Sequence, residues 1–263
     1  MLAAAALPAA LTSAAAPLVP AGKWEIDSVP GGCRATRAYG ASGDTLLRFI
    51  VRPITSSYVV SVVRRRPIAI AYDDPVRLTL GPGNQLLEGR ALGFMSDSRT
   101  SSIVGMFAER APFATGVVST ITMSTDREEV ASFAVDDMPA LIAALKTCEN
   151  GLLASFGVDP AKQAAVAVPP RALADPVTWF RADDYPAAAR RGGVQGAVSG
   201  RFRVGEDGSV SDCVVVASSG SPLLDGETCR LVLLRARFSP ALSSDGRPIA
   251  SAQIFSTRWS IAR

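Results

Sequence analysis

Two alternating runs that meet at Asp207-Gly208 constrain the fold of this chain more than any other feature. In GAVSGRFRVGEDG, residues 196–208, Val198, Gly200, Phe202 and Val204 share one parity, and Ser199, Arg201 and Arg203 the other. A period of two marks a strand with one buried side. Glycine accepts positive φ, so Asp207-Gly208 turns the chain. Residues 209–220 then return as a second strand, with Cys213, Val215 and Ala217 on one face. Ser221-Pro222 opens a helix to about Arg237, with Pro at its first position. Cys229, Val232, Leu233 and Ala236 are spaced to form its apolar face. After a turn at Asp245-Gly246, Phe255, Thr257, Trp259 and Ile261 alternate with Ile254, Ser256, Arg258 and Ser260 in a last strand. Upstream, YPAAARR over residues 185–191 predicts a short helix closed by Gly192-Gly193.

The first half predicts mixed α and β structure. Residues 45–53 and 57–63 are rich in β-branched and aromatic residues and predict strands. Residues 116–124 and 128–135 flank a short turn and predict a hairpin. DDMPALIAALKTC, residues 136–148, predicts a helix with Asp137 at its N-cap and Pro139 in the first turn. Leu141, Leu145 and Cys148 lie on one face of it. Residues 149–176 mix Ala, Gly and Pro without a clear period and read mainly as a connector, with a short helix as the alternative. The expected organisation is a signal-like segment over 1–22, a first domain over 23–150, a linker over 151–174 and a second domain over 175–263.

Histidine is absent from all 263 residues. Ser-His-Asp and Cys-His catalysis, a histidine proton shuttle and His-ligated zinc are thereby excluded. Lys23, Lys146 and Lys162 are the only lysines, so nearly all the basic residues are arginine, which pairs but rarely serves as a base. A net charge of +3 is too balanced to point to nucleic acid. With 48% hydrophobic and 19% charged residues, wholesale disorder is excluded as well. The composition leans toward a binding or structural role, and no cofactor or metal is expected.

Residues 1–22 carry no charge, and Pro8, Pro17 and Pro20 interrupt them. A membrane-spanning helix needs about 20 apolar residues and flanking anchors. A secretory signal peptide fits better, with Ser13-Ala14-Ala15 as the cleavage site. The basic n-region is missing, so this reading places the true start upstream of Met1. A retained membrane anchor is the alternative. The cysteines agree with export: Cys33, Cys148, Cys213 and Cys229 form no CxxC pair, and an even number behind a signal-like segment points to disulfides. Of three connectivities, Cys33–Cys148 with Cys213–Cys229 keeps each pair inside one domain. Four buried thiols are the alternative.

Other motifs have ordinary structural explanations. Arg64-Arg65-Arg66 fits a solvated loop, and Asp73-Asp74, Asp136-Asp137 and Asp183-Asp184 fit turns or caps, since none lies in a calcium-loop pattern. GPGNQ, residues 81–85, lacks the lysine of a phosphate loop and fits a turn. Glu128-Glu129 sit on opposite faces of a strand, so they make no acid pair.

The second half resembles the C-terminal domain of the TonB family. The matching residues run in order through Tyr185-Pro186, Ala189, Gly193, Gly196, Val198, Phe202, Val204, Asp207-Gly208, Val210, Ser218-Ser219-Gly220 and Leu224-Asp225. They continue through Arg237-Phe238, Pro240-Ala241 and Gly246 to Pro248. The resemblance implies an α+β fold, two helices on a three-stranded antiparallel sheet, behind a mostly antiparallel first domain. It also implies a periplasmic module that engages TonB-dependent outer-membrane receptors, or another envelope protein, by pairing a strand with the receptor's short N-terminal box segment. The last strand, residues 250–261, is the expected pairing edge, with Gln253, Ser256, Thr257 and Arg258 as contact residues. Completing its own sheet, or pairing with a second copy in a homodimer, are the alternatives for that strand. A full energy transducer also carries a histidine-bearing transmembrane helix and a Pro-rich spacer, and this sequence has neither. The expected function is therefore periplasmic binding in transmembrane transport, without enzymatic activity. An accessory or partial transducer, anchored in the inner membrane by a segment missing from this sequence, is the alternative.

Overall fold

The structure is a computed structural model and describes residues 16–66, 68, 70–95, 101–114 and 117–261. The Ser13-Ala14-Ala15 site and most of the signal-like segment lie outside the described residues. In chain order the first strands are β1 (Glu25–Val29), β2 (Gly32–Tyr39), β3 (Thr45–Val51), β4 (Ser57–Arg64), β5 (Pro75–Gly81), β6 (Gln85–Arg90), β7 (Leu92–Met95) and β8 (Ser102–Glu109). A one-turn helix, α1 (Ala111–Ala114), precedes β9 (Thr120–Thr125) and β10 (Glu129–Ala134). They form a sheet ordered β1-β2-β3-β4-β8-β7 and a sheet ordered β10-β9-β5-β6. The described chain divides into two compact units. One contains the residues up to Lys23, Arg37–Arg48 and Val60–Met138; the other contains Trp24–Thr36, Phe49–Val59 and the chain from Pro139 onward.

In the first unit, Val76, Leu78 and Leu80 of β5 point to the same buried side as Ile121, Met123 and Phe133 of the hairpin expected at 116–135. Tyr39 meets Phe133 edge-on at 4.8 Å. Burial raises the Tyr39 phenol to about 12. Arg37 is 7% exposed, and its Nη1 donates to Asp136 at 2.8 Å and Asp137 at 3.0 Å while its Nε donates to the Gly22 carbonyl. The two aspartates expected as a turn and an N-cap thus neutralise a buried guanidinium, because its desolvation requires a charged partner. Arg64, expected in a solvated loop, instead ends β4 and donates to the Val130 carbonyl and the Glu128 carboxylate.

In the second unit, Trp24, Phe49 and Tyr58 form a chain of edge-on ring contacts. Cys33 bonds Cys148 across 115 positions. Cys148 lies on α2 (Met138–Ser155), which runs further than the expected helix and takes in the start of the stretch read as a connector. Leu141, Leu145 and Leu153 continue one buried face, and that burial outweighs the weak helix propensity of Asn150-Gly151. The helix closes in a Schellman arrangement, Gly157 N–H to Ala154 and Val158 N–H to Leu153. Next comes α3 (Pro160–Ala164), capped by the Asp159 carboxylate.

The remaining elements are β11 (Arg171–Ala172), the 3-10 turns Pro176–Trp179 and Ala182–Asp184, α4 (Ala187–Arg191), β12 (Gly196–Val204), β13 (Val210–Ala217), α5 (Pro222–Arg235), the two-residue strands β14 (Phe238–Ser239), β15 (Ala241–Leu242) and β16 (Pro248–Ile249), and β17 (Ser251–Trp259). As expected, β12, β13 and β17 make a three-stranded antiparallel sheet with α4 and α5 packed on it. The turn at Asp207-Gly208 forms with Gly208 at φ +77°, and a Cβ there would lie 1.9 Å from the Phe238 carbonyl oxygen. Val198, Phe202 and Val204 are buried against Leu231, Val232, Ala236 and Trp179. Cys213 bonds Cys229 and pins sheet to helix.

Two expectations fail on this domain. Leu233 is 39% exposed, because α5 buries Leu224, Thr228, Leu231 and Val232 instead, a stripe rotated so that Thr228 can donate to the Leu224 carbonyl and accept from Trp259. Arg201, assigned to the polar face of β12, is only 7% exposed, since the Gly157 segment lies over it and Asp212 pairs with it.

Candidate functional site

The sheet order is β13-β12-β17, so β12 is central and both other strands are margins. The two margins differ. On the β13 side the register slips twice, between Ser199 and Gly200 and between Arg201 and Arg203, and Asp212 has φ +58°. Such bulges twist a strand and spoil it as a template. On the β17 side the pairing is unbroken from Gly196↔Trp259 to Val204↔Ser251.

The backbone of β17 has a defined phase. The Ala252 N–H points away from β12, since it donates to Gln163 Oε1 at 2.9 Å. Along an antiparallel strand the outward groups recur at every second residue. Ile254, Ser256 and Arg258 therefore direct their N–H and C=O groups to the open side, while Gln253, Phe255 and Thr257 bond to β12. Gln253 Nε2 donates to the Ala252 carbonyl at 2.8 Å, so side chains satisfy both outward groups of Ala252. The open stretch runs from Ile254 to Arg258.

A groove of about 410 Å³ flanks that stretch on the helix side of the sheet. Its walls include Val177, Phe180, Phe255, Thr257 and Arg258. Phe255 reaches this position because β12 has no side chain at Gly200: a Cβ there would lie 2.5 Å from the ring. Phe180 stacks on Phe255 with centroids 6.4 Å apart and meets Trp259 edge-on at 6.1 Å. Val177 is 70% exposed on the rim. Arg235 holds this wall in place, donating to the Trp179 carbonyl at 2.8 Å and gripping both oxygens of Asp184. The Arg235 guanidinium holds the Asp184 carboxyl below its usual range, although burial acts in the opposite direction.

The expected contact residues separate into two groups. Ser256, Thr257 and Arg258 meet at the groove and the open edge. Ser256 Oγ hydrogen-bonds Ser199 Oγ at 2.7 Å on the opposite face. Gln253 lies outside the groove and closes the Ala252 carbonyl. Among the described residues no carboxylate pairs with Arg258. Val177, Phe180 and Gln163 were not anticipated from sequence; the adjacent Trp179-Phe180 pair before Tyr185-Pro186 was the available signal.

Residues 181–261 match the family model described as the Gram-negative bacterial TonB protein C-terminal. This segment is a TonB C-terminal domain. The match takes in α4, α5, the whole sheet and the open edge, and it leaves the first half of the chain without a named family. TonB C-terminal domains are periplasmic, non-catalytic modules that interact with outer-membrane receptors in energy-coupled transport. No curated protein matches the chain. Among the described residues no helix is long and apolar enough to cross a membrane.

Proposed function

We propose that the chain is a periplasmic, non-catalytic binding protein whose TonB C-terminal domain captures an extended segment of an outer-membrane receptor or another envelope protein. The segment adds to β17 along Ile254–Arg258. The observation that carries this reading is the regular, unpaired margin of β17 opposite a bulged β13. Main-chain bonds give such a complex its affinity, and alternate side chains give it selectivity. A side chain beside Phe255 and Thr257 enters the apolar groove, while its neighbours fall beside Ser256 and Arg258.

The test is titration of the full chain with a synthetic peptide copying the N-terminal box segment of a TonB-dependent receptor. Ser256→Pro removes one outward N–H and leaves the bonds to β12 intact, because proline is tolerated where the donor faces solvent. Ser256→Ala is the control for the lost bond to Ser199. The expected result is saturable binding to the native chain and to Ser256→Ala, weakened at least roughly tenfold by Ser256→Pro. Equal binding by Ser256→Pro, or no binding by the native chain, rejects strand addition at this edge.

A further inference from the structure

The opposite face of the same sheet carries a second pocket, of about 310 Å³, between the Gly157–Gln163 segment and the ends of β12, β13 and β17. Three cations line it, Lys162, Arg201 and Arg203, against two carboxylates, Asp159 and Asp212. Both carboxylates are engaged. Asp159 accepts the N–H groups of Ala161 and Lys162, and Asp212 pairs with Arg201. Arg203 and Lys162 are exposed, and among the described residues neither has an acidic partner. Arg201 is more than nine-tenths buried, and its Nε–H has no acceptor.

We propose that this pocket binds a small organic anion, a carboxylate or a phosphate monoester, between Lys162, Arg201 and Arg203. A buried guanidinium left with an unsatisfied donor is costly, and two further cations facing the same cavity add repulsion. One oxyanion among Lys162, Arg201 and Arg203 relieves that repulsion, since charge-assisted hydrogen bonds from arginine and lysine are the strong ones. Val158, Ala250 and Ala252 supply an apolar wall, so the cavity has room for the body of an organic molecule besides its charged group. This site goes beyond strand addition: it uses none of Ile254–Arg258 and stands or falls independently of it.

The experiment is calorimetric titration of the full chain, at constant ionic strength, with citrate, with glycerol 3-phosphate and with uncharged glycerol. Saturable binding of citrate, of glycerol 3-phosphate or of both, with none of glycerol, is expected. Binding of one probe alone assigns the carboxylate or the phosphate class. Arg203→Gln and Lys162→Gln alter exposed side chains and leave the fold in place, as the thermal midpoint checks. At least one of them is expected to weaken binding roughly tenfold. Ser256→Pro is expected to leave it unchanged. The proposal is overturned if neither anion binds saturably, or if both pocket variants keep the native affinity.

Discussion

The indole Nε1 of Trp259 donates to Thr228 Oγ1 at 2.8 Å, a buried hydrogen bond that ties the last strand to helix α5. The same hydroxyl donates to the Leu224 carbonyl, so both of its roles are fixed by the fold. Trp259→Phe removes the donor and leaves part of the indole site empty. The expected loss is about 2–3 kcal/mol of unfolding free energy, combining the lost bond with imperfect packing, measured by urea denaturation.

Gly200 faces Phe255 so closely that any side chain there displaces the ring. Gly200→Ala is expected to cost about 1–3 kcal/mol by overpacking. It also moves one wall of the groove beside β17, so peptide binding falls with stability. Preserved stability together with native peptide affinity would show that Phe255 has another place to go.

Each disulfide closes a loop of different length, 16 positions for Cys213–Cys229 and 115 for Cys33–Cys148. Loop-closure entropy then predicts losses of about 3 kcal/mol and about 4–5 kcal/mol when the pairs are replaced by alanine. Denaturation of the two double variants, compared with the reduced native chain, checks the order.

Asp184 has a lowered pKa because the Arg235 guanidinium hydrogen-bonds to it. A carboxyl that titrates lower in the folded state stabilises above its unfolded pKa of about 3.9 and loses that contribution as pH falls through the folded value. Asp184→Asn is therefore expected to be less stable than the native chain at neutral pH, with the difference shrinking as the solution is acidified below about pH 4. A difference independent of pH would exclude the ion pair as its source.

The elements legible in the sequence are those whose alternation a single buried face imposes. β3 and β12 fall within the expected stretches for that reason, and β4 and the β9–β10 hairpin match theirs to within one residue. β1 and β2 were not anticipated, since EIDSV shows little apolar alternation and GCRATRAY carries Arg34 and Arg37 among its apolar residues. Arg37 is buried only because Asp136 and Asp137 arrive from a hundred positions away, and local pattern contains no trace of that. Helix α2 outruns its local pattern because Asn150-Gly151 signals a stop while Leu153 is held by burial. At the candidate site, Ser256, Thr257 and Arg258 were readable from the last strand. Phe180, Val177 and Gln163 come from segments whose position only the fold determines.

The bulges in β13 set a limit on assembly. With one margin kinked and the other straight, the layer has a single side suited to growth, so the proposed strand addition would take one guest ribbon and then stop. Head-to-tail stacking of copies would need both rims to be compatible, and they are not. Self-association along this sheet would then pair like rim with like rim, an arrangement that closes as a pair rather than running on into a fibre.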